Sequence, residues 1–421
     1  MPDGGMSAGF AGTAPPRVLL LLPSLQGGGA ERVAVNLLNH CDPSAVELRM
    51  ALLQRTGPYL ADVDPRDVDV SPFAEQWLRF EGNHASYYQP HRLAVGGVLA
   101  PTNTALMIRA FRPDLIVSFI KGMNLITYVA MAMLGRARPR WIVREGNNTH
   151  AVIEDEIAAP FGRRLAGRLV RKCYRAADCV LATSHGLASG LERGLGLDRS
   201  RLKVIPNPID VERIQASSRL PMADPPGASF IVTAGRLEHQ KGHDLLIRAF
   251  AASPACAGLE LVILGEGAQR AALQELAGQL GVGGRVRFPG FVANPWAWFA
   301  RARLFVLPSR WEGFANVVAE ALACGAPTVV TDCDYGPSEI VEHRVSGWVV
   351  RHGSAEALRQ GMDRILGDDL LAARLAQGGR QRAWSFNIDQ VTAAYAALFV
   401  DQAAARRPSA AGAAALQLAR A

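Results

Sequence analysis

The sequence predicts an α/β protein made of two domains, each built on a parallel sheet with helices on both faces. Three observations carry this prediction. The chain of 421 residues is long enough for more than one hydrophobic core. Short apolar strands alternate with helix-like segments, and this alternation stops once near the middle and then restarts. The strands are apolar on both faces, as in parallel sheets that are covered by helices on each side.

The first domain is predicted over residues 16–208, after a flexible leader at 1–15. β-rich runs such as "RVLLLLP" and "CVLATS" alternate there with helical patterns. The predicted strands cover 17–23, 114–120, 139–145 and 179–184.

The second domain is predicted over 228–381, behind a proline-rich polar linker at 209–227. Apolar residues at helical spacing over 382–400 predict a terminal helix that can cross back to the first domain, and 401–421 reads as a low-complexity tail. Two Rossmann-like domains would share one cleft, because open parallel sheets bind ligands beyond the carboxyl ends of their strands. The predicted strands cover 229–235, 259–265, 286–291, 304–309 and 327–332.

Composition excludes several classes of protein. An apolar content of 49% with 20% charged residues predicts a folded, globular chain. Six scattered cysteines and an N-terminal stretch without signal-peptide pattern predict a cytoplasmic protein with reduced thiols. The net charge of +7 favours an anionic partner, such as a phosphate or a membrane surface, but no nucleic-acid-binding module is recognisable. The longest apolar runs are too short to span a bilayer.

Two acids in "SRWEGFANVVAEALACGAP" are eight residues apart, Glu312 before an apolar helix and Glu320 inside it. Eight helical steps would separate the carboxylates by about 12 Å, whereas the carboxyl pair of a retaining glycosidase lies about 5–5.5 Å apart. The spacing therefore disfavours a hydrolytic pair and favours two separate contacts with one elongated ligand. The turn at 313–316 would supply free main-chain N–H groups between them. The alternative is a capping acid followed by an ordinary surface acid.

Two cations lie at a predicted strand–helix junction in "TAGRLEHQKGHDLLIRAF". Arg236 and Lys241 can hold a diphosphate, the first as a planar fork and the second as a point charge. Alternatively, both are solvated surface cations. His239 and His243 are four residues apart in the same stretch, but no third ligand is evident, so surface or structural roles are favoured over a metal site.

A glycine-rich loop in "PSLQGGGAERVAVNLL" gives the first domain a matching anion site. Gly27, Gly28 and Gly29 allow the main chain to approach an anion before a helix. A nicotinamide-binding loop requires G-x-G-x-x-G, and the last position is Arg32 in this chain. This difference disfavours a dinucleotide-dependent oxidoreductase or epimerase, which stays as an alternative.

Three stretches together resemble the group 1 (family 4) nucleotide-sugar glycosyltransferases of GT-B architecture. They are the Gly-Gly-Ala-Glu-Arg opening, the Gly-Arg-Leu…Lys-Gly segment and the Glu-x7-Glu run from Glu312 to Glu320, in family order over roughly 17–400. The resemblance implies a retaining transferase that uses a nucleotide-sugar donor and needs no bound metal or other cofactor. Such an enzyme stabilises the leaving diphosphate with cations and helix ends.

The resemblance also assigns site residues. It implies that Arg236, Lys241 and Glu312 act in catalysis, the cations on the donor diphosphate and the acid on the transferred sugar. Glu320 would hold the ribose hydroxyls, while Phe291 and Val292 would line the base pocket. The implied donor-binding residues are Gly28, Gly29, Arg236, Lys241, Phe291, Val292, Glu312, Gly313, Phe314, Ala315, Asn316 and Glu320.

The sequence departs from the family at two places. Many members have a histidine after a first-domain strand, where this chain has Glu145, with His150 further on. Gly-Pro-Ser-Glu replaces the Gly-Gly-x-Pro-Glu of many relatives, and its acid, Glu339, can lie near the donor or be a plain helix cap. Both variants resemble the branch that extends polyprenyl-diphosphate-linked or surface glycans.

A basic amphipathic helix is predicted in 160–178, where Phe161, Leu165, Leu169 and Cys173 form one apolar stripe. The pattern predicts contact with anionic lipid or with the phosphates of an acceptor, or else a core-packed helix with a solvated basic face. The flanking residues assigned to acceptor or membrane are Arg164, Arg168, Arg171 and Lys172.

Two Asp-x-Asp pairs, Asp62 with Asp64 and Asp67 with Asp69, resemble the metal motif of another glycosyltransferase architecture. That motif belongs to single-domain enzymes, so we predict no metal site. The prediction is a cytoplasmic, peripherally membrane-bound retaining transferase that moves a hexosyl or N-acetylhexosaminyl group from a UDP-sugar to a glycan or polyprenyl-diphosphate-linked acceptor. A catalytically silent sugar-nucleotide-binding subunit is the other alternative.

Overall fold

The computed structural model describes residues 14–70, 90–222, 224–227 and 229–405. Within them the chain forms two parallel sheets with helices on both faces, so the predicted fold class is confirmed. The predicted leader at 1–15 lies almost wholly outside the described residues, as does most of the predicted tail at 401–421.

The first sheet contains the strands β1 (Arg17–Leu22), β2 (Glu47–Leu52), β3 (Val68–Val70), β4 (Leu115–Phe119), β5 (Arg140–Glu145), β6 (Cys179–Ala182) and β7 (Leu202–Val204). Their order across the sheet is β3-β2-β1-β4-β5-β6-β7, and neighbouring strands run parallel. The sheet is flanked by α1 (Gly29–His40), α2 (Pro90–Phe111), α3 (Lys121–Leu134), α4 (Thr149–Glu156), α5 (Pro160–Ala176) and α6 (His185–Leu195). β1 and β4 are apolar and buried on both faces, as a sheet between two helical layers requires.

The second sheet contains β8 (Phe230–Ala234), β9 (Glu260–Leu264), β10 (Val286–Gly290), β11 (Leu304–Leu307), β12 (Thr328–Thr331) and β13 (Trp348–Val350). Their order is β10-β9-β8-β11-β12-β13, again parallel. The helices that follow the first domain are α7 (Val211–Ser218), α8 (His243–Ala252), α9 (Arg270–Gln279), α10 (Trp296–Phe299), α11 (Asn316–Ala323), α12 (Pro337–Ile340), α13 (Ala355–Leu366), α14 (Asp369–Ala383) and α15 (Ile388–Ala404).

Within the segment expected to be a polar linker at 209–227, α7 (Val211–Ser218) is a helix of the second domain. Ile209, Val211 and Ile214 are buried in the second domain's core, where α7 packs against α10 and α11. The sequence did not indicate this helix, because the prolines around it masked a short apolar face; the boundary between the domains at 209–227 stays a prediction. The second domain's core therefore begins at Ile209.

The terminal helix α15 returns to the first domain. Val391, Tyr395 and Phe399 are buried in the first domain's core, which also contains Leu37 of α1. Thr392 lies against the end of α1, where its carbonyl oxygen is 3.8 Å from Cys41 Sγ. The chain therefore crosses between its two halves twice, once before α7 and once before α15.

No helix in the described part of the chain combines the length and the apolar character that crossing a bilayer would require.

Candidate active site

The cleft is lined by loops that follow the central strands of both sheets. β1 lies beside β4 and β8 beside β11, the points at which the strand order reverses and where parallel sheets bind ligands. The two domains meet closely there. A Cβ atom at Gly313 would fall 1.8 Å from the carbonyl oxygen of Gly146 in the first domain. Only glycine fits at position 313, because any side chain would separate the loops.

Lys241 and Glu312 form a shielded ion pair in the second domain. Lys241 Nζ donates to Glu312 Oε1 at 2.6 Å, and Ser309 Oγ donates to the same oxygen at 2.6 Å. Glu312 is only 5% exposed. The Lys241 side chain runs beside Gly235 at the end of β8, where a Cβ would be in ordinary van der Waals contact with Lys241 Cδ at 3.4 Å. Within the described structure Glu312 Oε2 has no hydrogen-bond partner, so this oxygen is available to a ligand.

The turn at 313–315 starts α11 in a strained conformation. Ala315 has a φ of 62°, which residues other than glycine rarely adopt. The first N–H groups of α11 lack helical acceptors and can bind an anion or a hydroxyl group. Phe314 is buried and packs edge-to-face on Phe386, with ring centroids 5.3 Å apart. The predicted sugar contacts of Phe314 and Ala315 are therefore restricted to their main chain, since both side chains lie in the core.

Asn316 joins this turn to the first domain. Its Oδ1 accepts from Asn207 Nδ2 at 2.6 Å, and its Nδ2 lies 3.3 Å from the position of a Cβ on Gly29. Asn207 Oδ1 accepts from Arg144, whose Nε donates to Tyr395 Oη at 3.0 Å. A chain of side chains thus connects the predicted sugar turn, the first sheet and α15. Sequence reasoning missed Asn207 and Arg144.

Glu320 lies further along α11 and faces the first domain. Its Oε2 accepts from Trp296 Nε1 at 3.0 Å. Burial raises the pKa of Glu320, while the Trp296 hydrogen bond and the charge of Arg32 lower it. Arg32 stacks over the Tyr59 ring at 3.7 Å and pairs with Asp62 at 2.7 Å, all within the first domain. Glu320 Oε1 has no described hydrogen-bond partner and is open to a ligand.

Arg236 faces an acid on each side of the cleft. It pairs with Glu238 at 2.9 Å in its own loop. Across the cleft, Glu31 of α1 is buried, and this burial raises its pKa. A hydrogen bond from its own main-chain N–H and the charges of Arg236 and Arg144 lower the pKa in part. The Glu31 carboxylate folds over Gly28, where a Cβ would lie 2.4 Å from its Oε2. The sequence placed Glu31 in the Gly-Gly-Ala-Glu-Arg stretch but assigned it no contact.

Comparison with known proteins gives this geometry its context. The model of the family described as "Glycosyltransferase Family 4" matches residues 27–213, and that of "Glycosyl transferases group 1" matches 220–382. The lipopolysaccharide core biosynthesis glycosyltransferase LpsE of Rhizobium meliloti is 33% identical over 378 residues, which cover 89% of this chain and 96% of that protein. The chain belongs to the group 1 (family 4) glycosyltransferases. The family predicted from the three stretches is confirmed.

One further relative and one solved structure extend the comparison. A Campylobacter jejuni enzyme, N-acetylgalactosamine-N,N'-diacetylbacillosaminyl-diphospho-undecaprenol 4-alpha-N-acetylgalactosaminyltransferase, is 32% identical over 252 residues, covering 58% of this chain and 67% of that protein. The crystal structure of Anabaena Alr3699/HepE in complex with UDP has a TM-score of 0.70 and 20% identity, covering 91% of this chain and all of that one. The GT-B fold is thereby confirmed.

Glu145, which we predicted to replace the family's histidine, shapes the loop that follows β5. The Glu145 side chain is buried. It accepts hydrogen bonds from the main-chain N–H of Gly146 at 3.0 Å and from that of Asn147 at 2.9 Å. Its other donors are Thr149 Oγ1 at 2.9 Å, the Tyr174 hydroxyl and Lys121 Nζ at 3.4 Å. These bonds hold the Gly146 loop against Gly313. His150 is exposed and pairs with Glu154 at 3.4 Å.

The aspartates of the two Asp-x-Asp pairs are largely engaged by arginines. Asp62 pairs with Arg32 at 2.7 Å, Asp64 with Arg66 at 2.6 Å and Asp69 with Arg49 at 3.2 Å. No group of three metal-ligating side chains occurs within the part of the chain that the structure describes. The absence of a metal from the reaction stays a prediction.

The two histidines near Lys241 have different surroundings. His239 is half-exposed and pairs with Asp155 of the first domain at 3.3 Å. His243 is buried at the start of α8, and burial, with the nearby Lys241 charge, lowers its pKa to about 4. His243 is therefore neutral near pH 7.

Phe291 and Val292 follow the edge strand β10. Phe291 is 68% exposed, and Val292 packs at the border of the second domain's core. An exposed aromatic ring beyond the carboxyl end of a strand can stack on a base. Their part in the base pocket stays a prediction, as does that of Gly28 and Gly29 in donor binding.

The outer face of α5 is both apolar and basic. Phe161, Leu165 and Leu169 are 79%, 48% and 45% exposed, and Arg164, Arg168, Arg171 and Lys172 are exposed beside them. Cys173 was expected on the same stripe but is buried in the core. Each four-residue step carries a helix about 40° beyond a full turn, so twelve residues rotate the stripe by about 120° and bring Cys173 to the inner face.

Proposed function

We propose that this glycosyltransferase moves a hexosyl or N-acetylhexosaminyl group from a UDP-sugar to a glycan or polyprenyl-diphosphate-linked acceptor, with retention of the anomeric configuration. The acceptor would be an intermediate of cell-surface polysaccharide assembly. One observation carries the proposal: the start of α11 brings together the Lys241–Glu312 pair, the free N–H groups of the helix and, further along it, Glu320. These groups match the diphosphate, the sugar and the ribose of one donor molecule.

Departure of the diphosphate is the step that these residues serve best. Negative charge builds on the leaving phosphate as its bond to the sugar breaks, and Lys241, Arg236 and the start of α11 stabilise that charge. Glu312 orients Lys241 through their 2.6 Å contact and offers its second oxygen to the sugar hydroxyls. Closure of the first domain over the turn at 313–315 brings the acceptor to the reacting carbon and excludes water. We propose that no metal ion takes part.

The donor and acceptor classes are supported by relatives rather than by the pocket alone. Alr3699/HepE, which shares the fold, was solved in complex with UDP and with UDP-glucose. The Campylobacter jejuni relative is named for a diphospho-undecaprenol acceptor, and LpsE for the lipopolysaccharide core. These names favour the acceptor class that we assign to this enzyme, a surface glycan or a polyprenyl-diphosphate-linked precursor.

The outer face of α5 supports a peripheral place on the inner face of the membrane. Apolar side chains flanked by cations can enter the headgroup region of an anionic leaflet, with the chain of each arginine extending along the lipid surface. α5 belongs to the first domain, which we assign to the acceptor. A lipid-linked acceptor would then be taken directly from the surface on which the enzyme sits.

A donor screen tests the proposal. Purified protein is mixed with UDP-, GDP- and ADP-sugars and a panel of polyprenyl-diphosphate-linked glycans, and free nucleotide is measured. We expect acceptor-dependent release of UDP, unchanged by a chelator, and a product with the donor's anomeric configuration by NMR. Glu312→Gln should lower turnover about a hundredfold, since one contact to developing charge contributes about 10²–10³. Glu342→Gln, an exposed acid whose hydrogen bonds are made by its main chain, is the matched control.

Other outcomes of the screen, together with a UDP titration and an assay with NAD(P)H, assign the alternatives. Release from a GDP- or ADP-sugar alone would contradict the UDP assignment while keeping the transferase. UDP binding without turnover on any acceptor would favour a catalytically silent subunit. Oxidation or reduction of a bound nicotinamide nucleotide would favour the oxidoreductase.

A further inference from the structure

The loop after β12 reaches from the second domain to a helix of the first. Glu339, on the short helix α12, accepts from the main-chain N–H of His185 at 2.7 Å through Oε2 and from that of Gly186 at 2.7 Å through Oε1. Both N–H groups belong to the first turn of α6. Ser184 already caps Leu187 N–H at 3.2 Å. The second domain therefore completes the N-terminal cap of a first-domain helix.

Such a contact is directional and favourable. The first N–H groups of a helix have no helical acceptors, and the positive end of the helix dipole attracts a carboxylate. Hydrogen bonds to an ionised acceptor are shorter and stronger than those between neutral groups. Each carboxylate oxygen of Glu339 accepts one hydrogen bond, so both oxygens must point towards the first turn of α6. The bond pair consequently fixes the orientation of the domains as well as their distance.

Tyr335 makes a second contact with the same helix. Its φ is 66°, a left-handed conformation that turns the ring towards α6. A Cβ at Gly186 would lie 3.0 Å from Tyr335 Cδ1, and one at Gly190 would lie 2.2 Å from its hydroxyl oxygen. Gly186 and Gly190 are one helical turn apart and leave a flat surface for the ring. A side chain at position 190 would displace the tyrosine.

The opposite side of this loop supports the predicted sugar turn. A Cβ at Gly336 would lie 2.8 Å from the carbonyl oxygen of Gly313 and 2.9 Å from Phe314 Cα. The N–H of Glu312 donates to the carbonyl of Asp334 at 3.3 Å. One loop thus touches α6 of the first domain and the main chain that follows Glu312.

The loop is anchored in its own domain independently of the Glu339 side chain. Arg382 donates to the carbonyl oxygens of Glu339 at 2.7 Å and of Ile340 at 3.0 Å. Replacing the Glu339 side chain leaves both bonds in place. A substitution at Glu339 therefore removes the interdomain contact without releasing α12.

We propose that Glu339 and Tyr335 form a latch that engages the start of α6 on domain closure and thereby sets the main chain of the sugar turn. Glu339 is a positioning residue: it acts through α6 and through the turn at 313–315, not by touching the donor. The catalytic part of this inference rests on the proposed function, whereas the latch itself does not.

The test compares three variants with the wild-type protein. Glu339→Gln keeps the shape of the side chain but removes its charge and one acceptor. Gly190→Ala displaces Tyr335 from the first-domain side, and alanine forms helix more readily than glycine, so the helix itself is not weakened. The matched control is Glu342→Gln, because Glu342 is an exposed acid two residues beyond α12. Each protein is measured by hydrogen–deuterium exchange over 183–191, by small-angle X-ray scattering, by calorimetric titration with UDP and by kcat.

We expect Glu339→Gln to speed exchange at the first amides of α6 by about tenfold, since the charged acceptor is lost. The radius of gyration should rise, and kcat should fall about tenfold with UDP affinity within twofold of wild type. Gly190→Ala should act in the same direction, and Glu342→Gln should behave as wild type. Unchanged exchange and scattering in both latch variants would overturn the latch, even if the donor screen found no activity. Changed exchange with wild-type kcat would overturn the positioning role.

Discussion

The carboxylate of Glu320 has two oxygens with different tasks in this account. Oε2 accepts the Trp296 hydrogen bond at 3.0 Å, and Oε1 is left for the ribose hydroxyls of the donor. Burial raises the pKa of this acid, and hydroxyl groups that donate to it would favour its charged form. Different substitutions at Glu320 can therefore remove the contact with the ligand while keeping the hydrogen bond from Trp296, or remove both.

We expect Glu320→Gln to weaken UDP binding tenfold to a hundredfold, because a hydrogen bond to a charged group contributes about 1.5–3 kcal/mol. Stability should change little, since glutamine still accepts from Trp296. Glu320→Ala should weaken binding at least as much and also lower the free energy of unfolding by about 1–3 kcal/mol, because the indole N–H is left unpaired. Calorimetric titration and thermal unfolding measure the two effects.

The control for Glu320 is Glu275→Gln, an exposed acid on α9, which should bind UDP as the wild type does. Unchanged UDP affinity in both Glu320 variants would remove this residue from the nucleotide site.

At the residue scale, motifs were predictable and their partners were not. The order and spacing of Lys241, Glu312 and Glu320 are local properties of the sequence. The contact between Lys241 and Glu312 joins positions 71 apart, and Trp296 lies 24 residues before its partner Glu320. Such pairs exist only because the segments that follow β8, β10 and β11 converge at one edge of the sheet. The apolar run around Glu312 likewise gave no sign that Phe314 points into the core.

Among the elements, α5 carries the membrane assignment. Its inner face packs in the first domain's core through Ala166, Val170 and Cys173. Its outer face carries the most exposed apolar side chains of the helix, Phe161, Leu165 and Leu169. No element of the described part of the chain covers these three side chains. A face that is both apolar and basic fits an anionic lipid surface better than bulk water.

We expect the triple variant Arg164→Gln, Arg168→Gln and Lys172→Gln to sediment less with vesicles of phosphatidylglycerol and phosphatidylethanolamine. Each cation near an anionic surface contributes about 1 kcal/mol, so the partition coefficient should fall roughly a hundredfold. The effect should shrink as salt rises, because salt screens exposed charges.

The matched control for α5 removes the same charge from the second domain. Its substitutions are Arg351→Gln, Arg364→Gln and Arg374→Gln, all at exposed positions. Equal loss of sedimentation in both triple variants would leave α5 as a scaffold element and reduce membrane binding to net charge.

Element prediction succeeded for strands that are apolar along most of their length, and it missed β2, which begins with the charged residues Glu47 and Arg49, and the three-residue strands. β1, β4 and β9 were predicted to within two residues at each end because their apolar runs are bounded by turn residues. β3, β7 and β13 have only three residues each, too few to establish a pattern, and the sheet recruits them through pairing with a neighbour. α7 was missed because proline-rich stretches on both sides favoured a linker.

For the whole molecule, the repeated alternation of strands and helices predicted two sheets and a cleft. It did not predict how the domains hold each other. Asn207 and Asn316 are 109 positions apart, and Glu339 reaches a helix 153 positions earlier in the chain. Contacts of this kind depend on how the two domains are placed against each other, for which α15 packs in the first domain's core, and a local pattern does not encode that placement.

The central claim is that one activated sugar is held by the second domain, with its diphosphate on Lys241 and Arg236 and its ribose on Glu320. A crystal structure of the protein soaked with UDP tests this most directly. We predict density for the diphosphate within hydrogen-bond reach of Lys241 and Arg236, and for the ribose at Glu320 Oε1. Nucleotide density at the Gly27–Gly29 loop of the first domain, with those three side chains untouched, would contradict the account.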